Sequence, residues 1–221
     1  MAVNKEVYHQ IITELDSKKV VLVAVSKTKP VEDILELYNI RQRDFGENYV
    51  QELVDKAAQL PKDIRWHFIG HLQTNKVKLI APFVQLIHGV DSLKLLKEIN
   101  KEAEKNNRIV NCLLQVHISQ EETKFGLDEE ELDLIISQFV DLKMMNVRVC
   151  GLMGMASFSE NMNLVREEFK KLKKVFDSLS TPDSRLTTLS MGMSSDYKVA
   201  IEEGSNMVRI GSLLFGERPV N

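Results

Sequence analysis

Eight times along the chain a short apolar run gives way to a turn and then to an amphipathic stretch. The runs are Val20–Ser26, Arg43–Gly46, Trp66–Gly70, Phe83–Gly89, Cys112–Ser119, Val147–Met153, Thr187–Met191 and Met207–Ile210. The stretches between them carry helical spacing: Val31, Ile34, Leu35 and Tyr38 recur at i, i+3, i+4 and i+7. So do Val50, Leu53, Val54 and Ala57, and Leu132, Ile135, Ile136 and Phe139. Strands that alternate with helices pair in parallel through crossovers. Eight such units predict an α/β protein of the (β/α)8 TIM-barrel class, although 221 residues is lean against roughly 250 for such barrels. Tyr8, Ile11, Ile12 and Leu15 add a helix before the first strand. A doubly wound open sheet is the alternative, but no GxGxxG follows the first strand, which disfavours its dinucleotide-binding form. No low-complexity linker interrupts the chain, so residues 1–221 are expected to form a single domain.

Composition narrows the function classes. The net charge is −3, which gives no electrostatic reason to expect nucleic acid. The cluster Lys170, Lys171, Lys173 and Lys174 lies on a helical pattern behind acids and reads as a solvated face. The two cysteines, Cys112 and Cys150, each fall inside an apolar run with no zinc or redox spacing. No His/Asp/Glu spacing matches a metal site. No apolar run approaches a membrane span, and the N-terminus lacks a signal-peptide core. A cytoplasmic protein is expected.

A barrel puts its site at the C-terminal ends of its strands. The first strand ends Ser26-Lys27-Thr28-Lys29-Pro30. Lys27 shares the parity of Val21, Val23 and Val25, so on a lumen-facing series its amine meets the mouth. Lys29 has the same parity but lies further out, against Pro30. A desolvated lysine is a usable nucleophile, and the plain alternative is a pair of solvated loop lysines. After the seventh run, Gly192-Met193-Ser194-Ser195 leads towards a helix that Ser194 could cap. Gly211-Ser212 follows the eighth. Barrel phosphate sites use these two loops, and the alternative is a pair of ordinary capped turns. A lysine nucleophile beside a phosphate cradle suits a Schiff-base aldolase or a pyridoxal phosphate protein. Arg209 bears on that choice: a guanidinium donates a hydrogen bond to a pyridine nitrogen without giving up its proton. His67, His71, His88 and His117 read as strand or strand-end residues, with His71, just past Gly70, better placed for a ligand.

These segments together resemble one family. Ala24–Pro30, Phe45–Glu52 and Trp66–Lys76 match its N-terminal signatures. Gly151–Met153, Leu189–Asp196 and Val208–Ser212 match its C-terminal ones, in order and over nearly the whole chain. The family is the YggS/PROSC-type pyridoxal phosphate homeostasis proteins, built like the N-terminal barrel of alanine racemase (fold type III). The resemblance implies that Lys27 carries pyridoxal 5′-phosphate as a Schiff base. It implies that Ser194, Gly211 and Ser212 hold the phosphate, that Arg209 faces the pyridine nitrogen, and that Asn48, Met193 and His67 line the ring side. Lys124 matches a further signature and is a candidate second amine. The implied function is vitamin B6 homeostasis without established turnover, handling the cofactor, other vitamers and cofactor-accepting apo-enzymes; the alternative is a small amino-acid racemase. Alanine racemase completes its site with a tyrosine base at a dimer interface formed with a second domain. Here the sequence ends at Asn221, and Tyr8, Tyr38, Tyr49 and Tyr197 all fall in predicted helices. A monomer lacking that base is expected.

Overall fold

Short β-branched and aliphatic runs become strands because they fit a pleated surface buried on both faces. The computed structural model describes residues 3–121, 125–180 and 186–216. In chain order the elements are α1 Lys5–Ser17, β1 Val21–Val25, α2 Val31–Asn39, β2 Asp44–Glu47, α3 Val50–Gln59 and β3 Arg65–Phe68. Then come α4 Val77–Ile80, β4 Leu86–Val90, α5 Leu93–Lys105, β5 Val110–Gln115, α6 Glu129–Asp141 and β6 Val147–Met153. The series ends with α7 Met162–Leu179, β7 Thr188–Ser190, α8 Tyr197–Glu202, β8 Met207–Ile210 and α9 Ser212–Phe215. The strands are parallel and close in sequence order, β8 returning to β1 through Val21↔Met207 and Val23↔Arg209. The expected (β/α)8 barrel, with its extra first helix, is the fold observed.

Alternation divides each strand between two cores. Leu22, Ala24, Phe45, Trp66, Phe68, Ile87, Leu114, Val208 and Ile210 face out into the layer under the helices. Val23, Leu86, Leu113, Met153 and Met207 form a separate cluster in the lumen. Helix α1 packs its Tyr8, Ile11 and Leu15 inward, and Asn4 caps it by accepting the Val7 N–H at 3.1 Å. Most strand boundaries lie within one or two residues of the sequence expectation, and two differ by more. Phe83 and Val84 donate their N–H groups back to the Ile80 carbonyl, so β4 starts only at Leu86. Beyond Gln115 the chain folds onto itself, pairing Val116 with Leu127, so β5 is shorter than its apolar run.

Candidate functional site

Lys27 sits in a turn that is fixed from several sides. Lys29 N–H donates to the Ser26 carbonyl at 3.1 Å, and Thr28 adopts a left-handed φ of 64°. That reversal separates two lysines that alternation could not. The Lys29 ammonium donates to the carbonyls of Phe215 (2.7 Å) and Gly216 (3.3 Å), tying the turn to the end of α9. Lys27 is half-buried and continues the series of Val23, which packs in the lumen. The residues flanking Lys27 are held by a buried charge cluster. Ser26 Oγ donates to Glu47 Oε1 at 2.6 Å. Lys56 Nζ donates to the Ser26 carbonyl (2.7 Å), to Glu47 (2.8 Å) and to Glu52 (2.7 Å). Glu52 in turn accepts the Thr28 N–H at 2.6 Å. Burial pushes the Glu47 carboxyl above its usual range in spite of Lys56 and Ser26.

The loops after β7 and β8 meet. Gly211 N–H donates to Ser194 Oγ at 3.2 Å, which joins two of the residues expected to hold a phosphate. Ser212 follows at the start of α9, and both Ser212 and Ser194 retain solvent access. Gly192 has φ 97°, and a Cβ there would stand 2.6 Å from Ala200 Cβ, so only glycine makes this turn. The expectation that Ser194 caps α8 is corrected. The helix begins at Tyr197 behind Asp196, whose carboxylate folds back to accept the Met193 N–H. That closed turn leaves the Ser194 hydroxyl to the Gly211 amide.

A polar chain runs through the lumen. Arg209 is 4% exposed; its Nη1 donates to Ser190 Oγ (2.6 Å) and to the Ser190 carbonyl (3.0 Å), and its Nη2 to the Gly154 carbonyl (3.1 Å). Burial brings its pKa down to about 10, so it remains a cation at neutral pH. Three of its five N–H donors are thus used among the described residues, leaving two. Ser190 Oγ lies 3.2 Å from His88 Nδ1, and His88 Nε2 lies 2.9 Å from His67 Nδ1. His67 Nε2 lies 3.0 Å from Asp44 Oδ1, and Arg65 braces Asp44 with two hydrogen bonds. Burial works against the Asp44 carboxylate, but the Arg65 and His67 hydrogen bonds outweigh it and hold its pKa below the usual range. Burial, then His67 and Arg209, holds His88 well below the ordinary histidine value. Both ring nitrogens of His67 are therefore engaged in the lumen, beneath the mouth.

The remaining candidates scatter around the rim. Asn48 follows β2, and its Oδ1 is buried without a hydrogen-bond partner among the described residues. Met193 is half-buried in the β7 loop. Tyr49 is not in a helix as expected: it stands in extended conformation ahead of α3, 57% exposed. The other tyrosine hydroxyls are committed, Tyr8 to Gln42, Tyr38 to Asp63 and Tyr197 to Glu14. His71 bonds Asp91 at 3.2 Å and stacks on Phe125 with centroids 4.4 Å apart. His117 Nε2 lies 3.0 Å from the Glu121 carbonyl. Cys112 is buried as expected, whereas Cys150 is only partly so. Lys124 lies outside the described residues. Among the described residues, no group of three His, Cys, Asp or Glu side chains is arranged to hold a metal, and no helix is long and apolar enough to cross a membrane. Glu47, Glu52, Lys56 and Ser190 do not stand out in the sequence. The signal that exposes the first three is Lys56 falling three residues after Leu53, on the buried side of α3.

The chain is similar to known proteins over most of its length. The family described as "Alanine racemase, N-terminal domain" matches residues 6–219. A relative from Aquifex aeolicus, named "Pyridoxal phosphate homeostasis protein", is 47% identical over 199 residues, covering 89% of this chain and 86% of that one. The structure of PipY from Synechococcus elongatus PCC7942, with PLP bound, superposes with a TM-score of 0.84 at 35% identity, covering 93% of this chain and 98% of that one. Alanine racemase from Streptomyces coelicolor A3(2) shares the fold, with a TM-score of 0.74 at 14% identity over 93% of this chain and 56% of that one.

Proposed function

The chain belongs to the alanine racemase N-terminal domain family and, within it, to the pyridoxal phosphate homeostasis proteins, and from that membership we propose that it holds pyridoxal 5′-phosphate at the barrel mouth and does not turn over a substrate. The residues present fit this cofactor. Lys27 is the amine that bonds its aldehyde. Ser194, Gly211 and Ser212 take its phosphate, on loops already joined by the Gly211–Ser194 hydrogen bond. A Cβ at Gly211 would lie 3.2 Å from the Val25 carbonyl, so glycine lets this loop pack closely against β1. The Oδ1 of Asn48, unpartnered among the described residues, asks for a donor, and Met193 stands half-buried on the β7 loop. Bound pyridoxal phosphate supplies an aldehyde for an amine and a ring that draws electrons from it most strongly when the ring nitrogen is protonated.

The observation that carries the reading is Arg209. It is a buried cation with two N–H donors left over among the described residues, and it holds its own proton at neutral pH. Facing a ring nitrogen, it donates a hydrogen bond without protonating it. A ring kept in that state suits a cofactor that is held rather than worked. The hydroxyls of Tyr8, Tyr38 and Tyr197 are committed, so a racemase reading, which needs a second base at the mouth, would have to use the exposed Tyr49 beside Asn48. His67 contributes through the lumen chain. The proposal extends to other B6 vitamers and to transfer to cofactor-accepting apo-enzymes by a monomeric, cytoplasmic protein.

Purified protein mixed with pyridoxal phosphate is expected to show a visible absorbance band, and borohydride is expected to fix the cofactor mass on the peptide containing Lys27. Lys27→Ala should lose the adduct and Lys29→Ala should keep it. An adduct that persists at another lysine in Lys27→Ala overturns the assignment. Deuterium uptake at Cα of amino acids, faster than with free cofactor in deuterium oxide, overturns the non-catalytic reading in favour of a racemase.

A further inference from the structure

We propose that Asp44, His67, His88 and Ser190 form a one-way hydrogen-bonded chain that positions Arg209 from below, with both histidines acting on a ligand only through that guanidinium. The inference rests on the reading of Arg209 given above. Its direction follows from donor and acceptor inventory. Arg209 can only donate, so Ser190 Oγ accepts from it at 2.6 Å. The serine hydrogen then needs an acceptor, and His88 Nδ1 at 3.2 Å is the one available among the described residues. With Nδ1 accepting, the His88 proton sits on Nε2 and points to His67 Nδ1, 2.9 Å away. His67 is thereby left with its proton on Nε2, directed at the Asp44 carboxylate at 3.0 Å. Running the chain the other way requires an extra proton on His67 and leaves the serine hydrogen with no acceptor.

The arrangement answers a physical need. Among the described residues Arg209 hydrogen-bonds two carbonyls and a hydroxyl and no acid, and Asp196 acts on it through its charge without a hydrogen bond, although a buried cation ordinarily calls for a bonded acid. Four links away stands Asp44, a carboxylate on β2, and the aligned dipoles between them polarise one another towards it. The His88–Ser190 link crosses the lumen from β4 to β7. All of these side chains are buried: Asp44 is 9% exposed, His67 2%, and His88 and Ser190 0%. The charged groups bordering the histidines are Arg209 above, and Asp44 with its partner Arg65 below. The chain fixes the guanidinium plane and so the direction of its two remaining donors.

The first test needs no cofactor. Nitrogen-15 NMR of the histidine side chains at neutral pH, assigned with His67→Gln and His88→Gln, is expected to show both rings as neutral Nε2–H tautomers. An Nδ1–H tautomer for His88, or a doubly protonated His67, overturns the proposal. The second test titrates the full-length apo protein with pyridoxal phosphate. Ser190→Ala and His88→Leu should each weaken binding by about tenfold, as expected for loss of a hydrogen bond serving a charged group. The double variant should be no weaker than the worse single one, and His88→Gln, which can still accept and donate, should recover most of the affinity. Penalties that multiply, or losses of thermal stability with unchanged affinity, mean a merely structural role. If the wild type binds no pyridoxal phosphate, the proposed function fails, while the tautomer result still decides the chain.

Discussion

Lys27 owes its setting to residues on either side of it more than to its own neighbours in sequence. Ser26 and Thr28 are gripped through Glu47, Glu52 and Lys56, so the rim of β1 is anchored to β2 and α3. Lys56 is 5% exposed and Glu47 0%, which makes theirs a buried ion pair. Such pairs add little net stability, but removing one partner strands the other. Lys56→Met is therefore expected to destabilise the fold by about 3–5 kcal/mol in urea denaturation. Adding Glu47→Gln to that variant should restore at least half of the loss, because the stranded charge is gone and Glu52 is exposed enough to be hydrated. A double variant no more stable than Lys56→Met would show that the pair is not the source of the cost. Alternation and depth along the strand could favour Lys27 over Lys29 from sequence. The grip on its flanks was legible only through Lys56, whose place three residues after Leu53 puts a lysine on the buried side of α3.

Helix ends explain how a lean chain closes eight units. After α1 the Val20 N–H returns to the Leu15 carbonyl (2.9 Å), after α2 the Gln42 N–H to Leu37 (3.0 Å), and after α5 the Arg108 N–H to Ala103 (3.0 Å). Each is a six-to-one bond that needs a left-handed residue just before it. Those residues are Lys19 (φ 56°), Arg41 (φ 79°) and Asn107 (φ 51°), whereas α8 uses Gly204 (φ 94°) for its equivalent end. A left-handed L-residue costs about 1–2 kcal/mol, and glycine gives back about 0.5–1 kcal/mol in chain entropy. Lys19→Gly should thus raise stability by about 0.5–1 kcal/mol, with a smaller gain for Asn107→Gly, because asparagine tolerates this conformation. Chemical denaturation with an unchanged m-value would measure it, and a loss of stability in Lys19→Gly would refute the strain argument. The same residues show why helix boundaries were less legible than helices: the apolar stripe marks the buried face, but nothing in Lys19 or Arg41 announces a stop. Strand bounds failed where an apolar run served two structures, as Phe83 and Val84 do in finishing the turn of α4.

At the scale of the whole molecule, the barrel was legible because eight alternating units leave few topologies, and the candidate site was sought at its mouth on that ground. The lumen was not legible. A histidine between apolar strand residues looks the same in sequence whether it packs alone or links to another strand, and the His88–Ser190 contact joins positions 102 residues apart. That polar lumen gives the fold a pH signature. The folded His88 pKa lies below its unfolded value, so the unfolded chain binds the proton more readily. Its contribution to stability is complete above about pH 6.5, the unfolded histidine value, and is lost as pH falls below it. Asp44, with its lowered pKa, adds a loss of the same sign further into acid, once carboxylates begin to protonate in the unfolded chain. Glu47 has the opposite sign: its raised pKa favours the folded state as it protonates, so it partly offsets the decline at the acid end. Between pH 6.5 and 5 the histidine term dominates this balance, with a slope of up to about 1.4 kcal/mol per pH unit for one proton. Urea denaturation of the apo protein from pH 8 to pH 5 should show stability level at the alkaline end and falling below about pH 6.5. His88→Gln should flatten that fall while leaving the more acidic decline from Asp44 in place. Identical slopes in the wild type and the variant would mean that His88 takes up its proton without unfolding the barrel, and would remove the lumen chain as the origin of the pH response.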